Sequence, residues 1–169
     1  MNSILQSWNT ADPDSAVSAM IACCGARRWA EAMIALRPIA TVAELSAAAD
    51  RVWSTMDEAD WLEAFACHPR IGDRKPAHAT AKSAAWSIQE QSSTKTSADR
   101  ILAELAAGNA LYEQRFGFTY IVCATGKSAD EMLANLNRRL ASDRATELRE
   151  AAEQQRQITQ IRLGKWLVE

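Results

Sequence analysis

Apolar residues recur along most of the chain at spacings of three and four, the period of helices that bury one face. Over residues 12–24, Val17, Met20, Ile21 and Cys24 fall on one such face. Asp12-Pro13 supplies an N-cap followed by proline at the first helical position, and Gly25 closes the element. A short helix is expected over 28–36, stopping before Pro38. Thr41-Val42-Ala43-Glu44 has the form of a capping box, and Val42, Leu45, Ala49, Val52, Trp53 and Met56 keep the helical period from there. Asp57 or Asp60 can open a further short helix through Trp61 and Phe65. Pro69 disfavours helical geometry at His68, so this helix ends there.

The second half continues in the same way. A polar loop with Gly72 and Pro76 occupies about 70–79, followed by a helix over about 80–93. Another runs over about 98–116, with Ile101, Leu102, Leu105 and Leu111 inward and Gly117 as its stop. Ser128-Ala129-Asp130-Glu131 is a second capping box, leading a helix with Met132, Leu133, Leu136 and Leu140 on its apolar face. Ser142 or Asp143 caps a long last helix that reaches about Leu163. The exception is GFTYIVCAT, residues 117–125, whose β-branched and aromatic residues read in isolation as a strand. No partner strand is in sight, so the segment is expected to be extended and packed against helices. The fold class that follows is all-α: a single-domain multi-helix bundle over 1–169 with one extended segment near residues 117–125.

Composition narrows the function classes. The 169 residues are 48% hydrophobic and 24% charged with a net charge of −2, an ordinary globular balance with no basic stripe for nucleic acid. No apolar run approaches the ~20 residues that cross a bilayer, and no membrane association is expected. MNSILQSWNTADPD has neither a basic flank nor a long apolar core, so no secretory leader is expected. Cys23, Cys24, Cys67 and Cys123 match neither a disulfide framework nor a zinc spacing, which suggests free thiols in the cytoplasm. His68 and His78, ten apart with two prolines between, are poorly spaced for a metal, and none is expected.

Four places could carry chemistry, one of them the stretch 112–122, whose backbone amides can face a ligand if it is extended, or whose Phe116, Phe118, Tyr120 and Ile121 simply fill the core. His68 sits at a helix exit, its backbone stiffened by Pro69. That suits a general acid or base, which needs a fixed position and a pKa near neutrality; it equally suits a histidine that caps the helix. Ser87 and Glu90 are three apart on a helix and border its apolar stripe. A carboxylate there can accept a proton from a histidine ring and fix its tautomer, or it can simply belong to a solvated face. Arg162 stands among Ile158, Ile161 and Leu163. Buried, it needs a carboxylate or a carbonyl–amide pair; otherwise its stem packs on the core and its head reaches water.

HPRIG at 68–72, SIQEQ at 87–91, RFGFTYIV at 115–122 and IRL at 161–163, in that order and spacing, resemble the 2-oxo-4-hydroxy-4-carboxy-5-ureidoimidazoline (OHCU) decarboxylases over nearly the whole chain. The resemblance implies an all-helical, cofactor-free, cytoplasmic homodimer that takes a ureido-imidazoline to (S)-allantoin in urate breakdown. It places catalytic roles on His68 and Glu90, and substrate contacts on Pro69, Ser87, Arg162 and the backbone of Thr119, Tyr120 and Ile121. The chain departs from the usual family pattern at Ser92-Ser93, where Ala-Gly is common, and at Thr119, where proline is common. Arg70 is one of the residues the family uses at its position. The rival reading is a helical ligand-binding or scaffold relative without activity. A helical nucleic-acid module is disfavoured by the charge balance.

Overall fold

In the computed structural model, which describes residues 2–70, 80–90 and 99–169 without the side chains of Ala84, Ile88, Glu90 and Asp99, every polar cap announced by the sequence starts a helix. The helices are α1 Ser3–Thr10, α2 Pro13–Cys23, α3 Arg27–Ala35, α4 Val42–Trp53, α5 Glu58–Phe65, α6 Ala81–Glu90, α7 Asp99–Phe116, α8 Ala129–Leu140 and α9 Arg144–Trp166. No strand occurs among the described residues, so the fold is all-α. Asp12 accepts from the Ser15 amide at 2.9 Å. Both capping boxes close: Thr41 with Glu44 and Ser128 with Glu131. Asp57 and Asp60 cap α5 jointly, each side chain accepting from the other's backbone amide. Asp143, not Ser142, caps α9 by accepting from the Thr146 amide at 2.9 Å.

Several expected faces are displaced. On α2 the fully buried positions are Ala16, Met20 and Cys23, while Val17 and Ile21 are half-buried. Small residues let neighbouring backbones approach, so the inward stripe runs through alanine. Val42, at the first position of α4, is exposed. Leu111 on α7 is 57% exposed; the inward stripe is Leu105, Gly108, Asn109, Tyr112 and Phe116. Leu133 and Leu140 are half-buried. The sequence pattern did not anticipate α1, which Asn2 caps through the Leu5 amide. Ile71, Gly72 and His78, the loop expected over 70–79 beyond Arg70, Gln91 and Ser92-Ser93, and the end of α6 towards 93 lie outside the described residues.

The chain forms two compact units, Met1–Ala64 with Arg156–Glu169, and Phe65–Gln155. In the first, Met20, Trp29, Met33 and Leu45 are buried, and Trp8 meets Trp166 edge-on at 6.1 Å. Asp50 on α4 accepts from Arg156 and Gln160, fastening the last turns of α9. In the second, α7 packs on α8 so closely that a Cβ at Gly108 would lie 2.6 Å from Leu136 Cδ2. Gly117, with φ 81°, ends α7. Beyond it, 117–125 runs without helix or strand. Phe118 and Tyr120 join Tyr112 in a ring cluster with centroids 5.4–5.7 Å apart. Such pairs contribute about 0.5–1.5 kcal/mol each beyond their buried area.

Candidate active site

His68 leaves α5 through a turn in which its amide donates to the Phe65 carbonyl at 3.1 Å. The ring is half-buried and Pro69 is buried. Nε2 of His68 lies 2.6 Å from Oε1 of Gln155, a fully buried residue of α9. Two residues on, Arg70 Nε donates to both carboxylate oxygens of Glu113, at 2.8 and 2.9 Å. This hydrogen bond holds the Glu113 carboxyl below the usual glutamate range. The His-Pro-Arg triplet is thereby held at both ends: the ring to α9 and the arginine to α7.

The segment after Gly117 is fixed from two helices. The Cys123 amide donates to Gln154 Oε1 at 2.8 Å. The Ile121 carbonyl accepts from Arg139, which has no solvent exposure and also pairs with the equally buried Glu147. Tyr112 donates its hydroxyl to Glu147 at 2.5 Å. The Arg139 guanidinium sits 4.8 Å from the Tyr120 ring centroid. Burial pushes the Tyr120 phenol up to about 12 and raises Tyr112 further. Glu147 Oε2 is buried and has no hydrogen-bond partner among the described residues.

Ser87 is 2% exposed on α6 and donates to the Ser83 carbonyl at 3.0 Å, so a solvated-face reading does not hold for it. Glu90 is the last residue of α6, and its side chain lies outside the described structure. Arg162 is 1% exposed on α9, beside buried Ile158 and Leu163, so its head does not reach water. His68, Pro69, Ser87, Thr119, Tyr120 and Ile121 belong to the second unit and Arg162 to the first. Sequence reasoning missed Gln154, Gln155, Arg139 and Glu147. The signal was present: Arg139 follows Met132 and Leu136 at spacings of seven and three, and Gln155 precedes Arg162 by seven on one helix. Among the described residues, no group of three or more His, Cys, Asp or Glu is placed to hold a metal ion.

The family model for OHCU decarboxylase matches residues 9–164. The uric acid degradation bifunctional protein TTL of Arabidopsis thaliana is 36% identical over 144 residues, 85% of this chain and 44% of that protein. The chain thus spans less than half the length of that relative. A 2-oxo-4-hydroxy-4-carboxy-5-ureidoimidazoline decarboxylase of Haloferax volcanii is 28% identical over 163 residues, covering 95% of this chain and 94% of that protein. A crystal structure of OHCU decarboxylase in the presence of (S)-allantoin superposes with a TM-score of 0.75 at 34% identity, covering 88% of this chain and 96% of that one.

Proposed function

The chain belongs to the OHCU decarboxylase family, and from that premise we propose that it converts 2-oxo-4-hydroxy-4-carboxy-5-ureidoimidazoline to (S)-allantoin and CO2 without a cofactor. The observation that carries this reading is the match over 9–164 with His68, Ser87, Glu90 and Arg162 all in place. It is supported by the solved decarboxylase with (S)-allantoin. Because the match runs through both compact units, we read the whole chain as one catalytic domain.

The substrate carries a carboxylate and a hydroxyl on one ring carbon, beside an imine carbon that bears the ureido group. When the carbon–carboxylate bond breaks, CO2 leaves, and the electron pair forms a double bond to the imine carbon as the imine π pair moves to nitrogen. The substrate is its own electron sink, which makes a pyridoxal or thiamine group redundant. The ring nitrogen takes up a proton from solvent, His68 takes the hydroxyl proton as the hydroxyl-bearing carbon becomes a carbonyl, and one proton is delivered to a single face of the ureido-bearing carbon, so that one net proton replaces CO2. Glu90 supplies negative charge beside the imidazolium. Arg162, Ser87, Pro69 and the backbone of Thr119, Tyr120 and Ile121 hold the ring, so that positioning supplies much of the rate.

The test is to generate the intermediate from urate in situ and follow allantoin by circular dichroism. Rapid one-handed product with wild-type protein, and slow racemic product with His68→Ala or Glu90→Ala, is the outcome this reading requires. Binding without turnover would favour the inactive binding relative instead.

Our reading also includes a cytoplasmic homodimer. No described helix is long and apolar enough to cross a membrane. Leu111 stands exposed on α7 among exposed Ala106, Ala107 and Ala110. That apolar strip suits a second copy of the chain, and sedimentation at micromolar concentration measures it.

A further inference from the structure

We propose that Gln155 is a positioning residue that sets the tautomer of His68: Nε2 carries the proton, and Nδ1 is the basic nitrogen. The proposal deepens the reading of His68 as the base and rests on that reading for its kinetic part. An amide oxygen has lone pairs and no hydrogen, so the 2.6 Å contact between Gln155 Oε1 and Nε2 needs its proton on the ring. In a neutral imidazole the other nitrogen then holds the lone pair, and only that nitrogen can accept a proton. Gln155 has no solvent exposure and stands on the longest helix described, so the acceptor is held rather than merely available.

The adjacent Gln154 holds the Cys123 amide. One turn of α9 therefore fixes both the ring and the segment proposed to line the substrate, through two neutral amides. The choice of amide over carboxylate has a chemical consequence. A neutral acceptor orients the ring while stabilising the imidazolium far less than a carboxylate at the same place would. The sequence pattern allows Glu90 to orient the ring; on this proposal Gln155 does so, and Glu90 is left to balance the charge that forms.

Imidazole nitrogen NMR reads the tautomer directly, and with two histidines in the chain a His78→Asn sample assigns the signals. Wild-type protein at a pH where His68 is neutral should show the Nε2–H pattern. Gln155→Leu should move His68 to mixed tautomers and lower kcat about 10–100-fold, with KM changed by less than about twofold. Gln155→Glu should keep the Nε2–H pattern, raise the His68 titration midpoint by about one pH unit or more, and shift the acid limb of the rate profile the same way. An Nδ1–H pattern in the wild type overturns the proposal, as does an unchanged spectrum and kcat in Gln155→Leu. The wild-type spectrum needs no variant to fold. Full turnover by His68→Ala would sink the catalytic reading separately, leaving the tautomer to stand or fall by NMR.

Discussion

Arg139 donates to the carbonyl oxygen of Ile121 from a position with no access to solvent. The bond turns a helix side chain into a support for backbone that has neither helical nor strand partners. A buried backbone carbonyl must find a donor, and a segment proposed to line a substrate must not shift. The guanidinium is in turn neutralised by Glu147 and flanked by the Tyr112 and Tyr120 rings.

Removing one member of this group strands the other. Arg139→Met should destabilise the protein by about 3–5 kcal/mol in urea unfolding, because Glu147 is left charged in the interior. Arg139→Met combined with Glu147→Leu should be less destabilised than the first change alone. A double variant whose loss equals the sum of the two single losses would show that the pair is not coupled.

The two tyrosines of the chain, Tyr112 and Tyr120, both belong to this cluster. Burial raises both phenols, that of Tyr120 to about 12. A raised phenol stabilises the folded state fully below the unfolded value near 10, and that contribution is lost as pH rises towards the folded value. Absorbance at 295 nm should therefore stay flat to about pH 11 and then rise together with loss of helical circular dichroism. A rise near pH 10 in folded protein would contradict the packing.

The Arg70–Glu113 contact has the opposite sign. Its carboxyl is lowered, chiefly by the Arg70 hydrogen bond, from an ordinary value of 4.5. The stabilisation is present above that value and disappears as pH falls through the folded one. Arg70 is 62% exposed, so the contribution is below about 1 kcal/mol and is screened by salt. Glu113→Gln should flatten the acid side of the stability–pH curve, measured by denaturant midpoint at low ionic strength. A curve that superposes on the wild type down to pH 2 would remove this contact from the acid response.

Arg162→Lys keeps the charge and removes the planar fork. It should cut kcat/KM about a hundredfold while the variant still folds, as circular dichroism of initial rates and thermal melting would show. Equal activity in the lysine variant would take Arg162 out of the substrate-binding set.

How much of this was legible in the sequence depended on whether polarity and burial coincided. Caps were readable because Asp12, Thr41, Asp57 and Ser128 do locally what their chemistry suggests. Leu111 misled because greasiness was taken for inwardness, whereas the true stripe of α7 passes through Gly108 and Asn109. Arg162 was singled out by its apolar neighbours. Arg139, Glu147 and Gln155 occupy inward positions of the same kind and were passed over, because polar residues on helices are usually solvated. Their partners are distant in sequence, as with His68 and Gln155, 87 residues apart, and no local pattern encodes such a meeting.

The close approach of α7 to α8 leaves its mark on what substitutions the chain can accept over time. A methyl group at 108 would press on the end of the fully buried Leu136 side chain, which would have to shift. Positions 108 and 136 are thus expected to drift together, since a side chain at the first asks the second to move or to shrink.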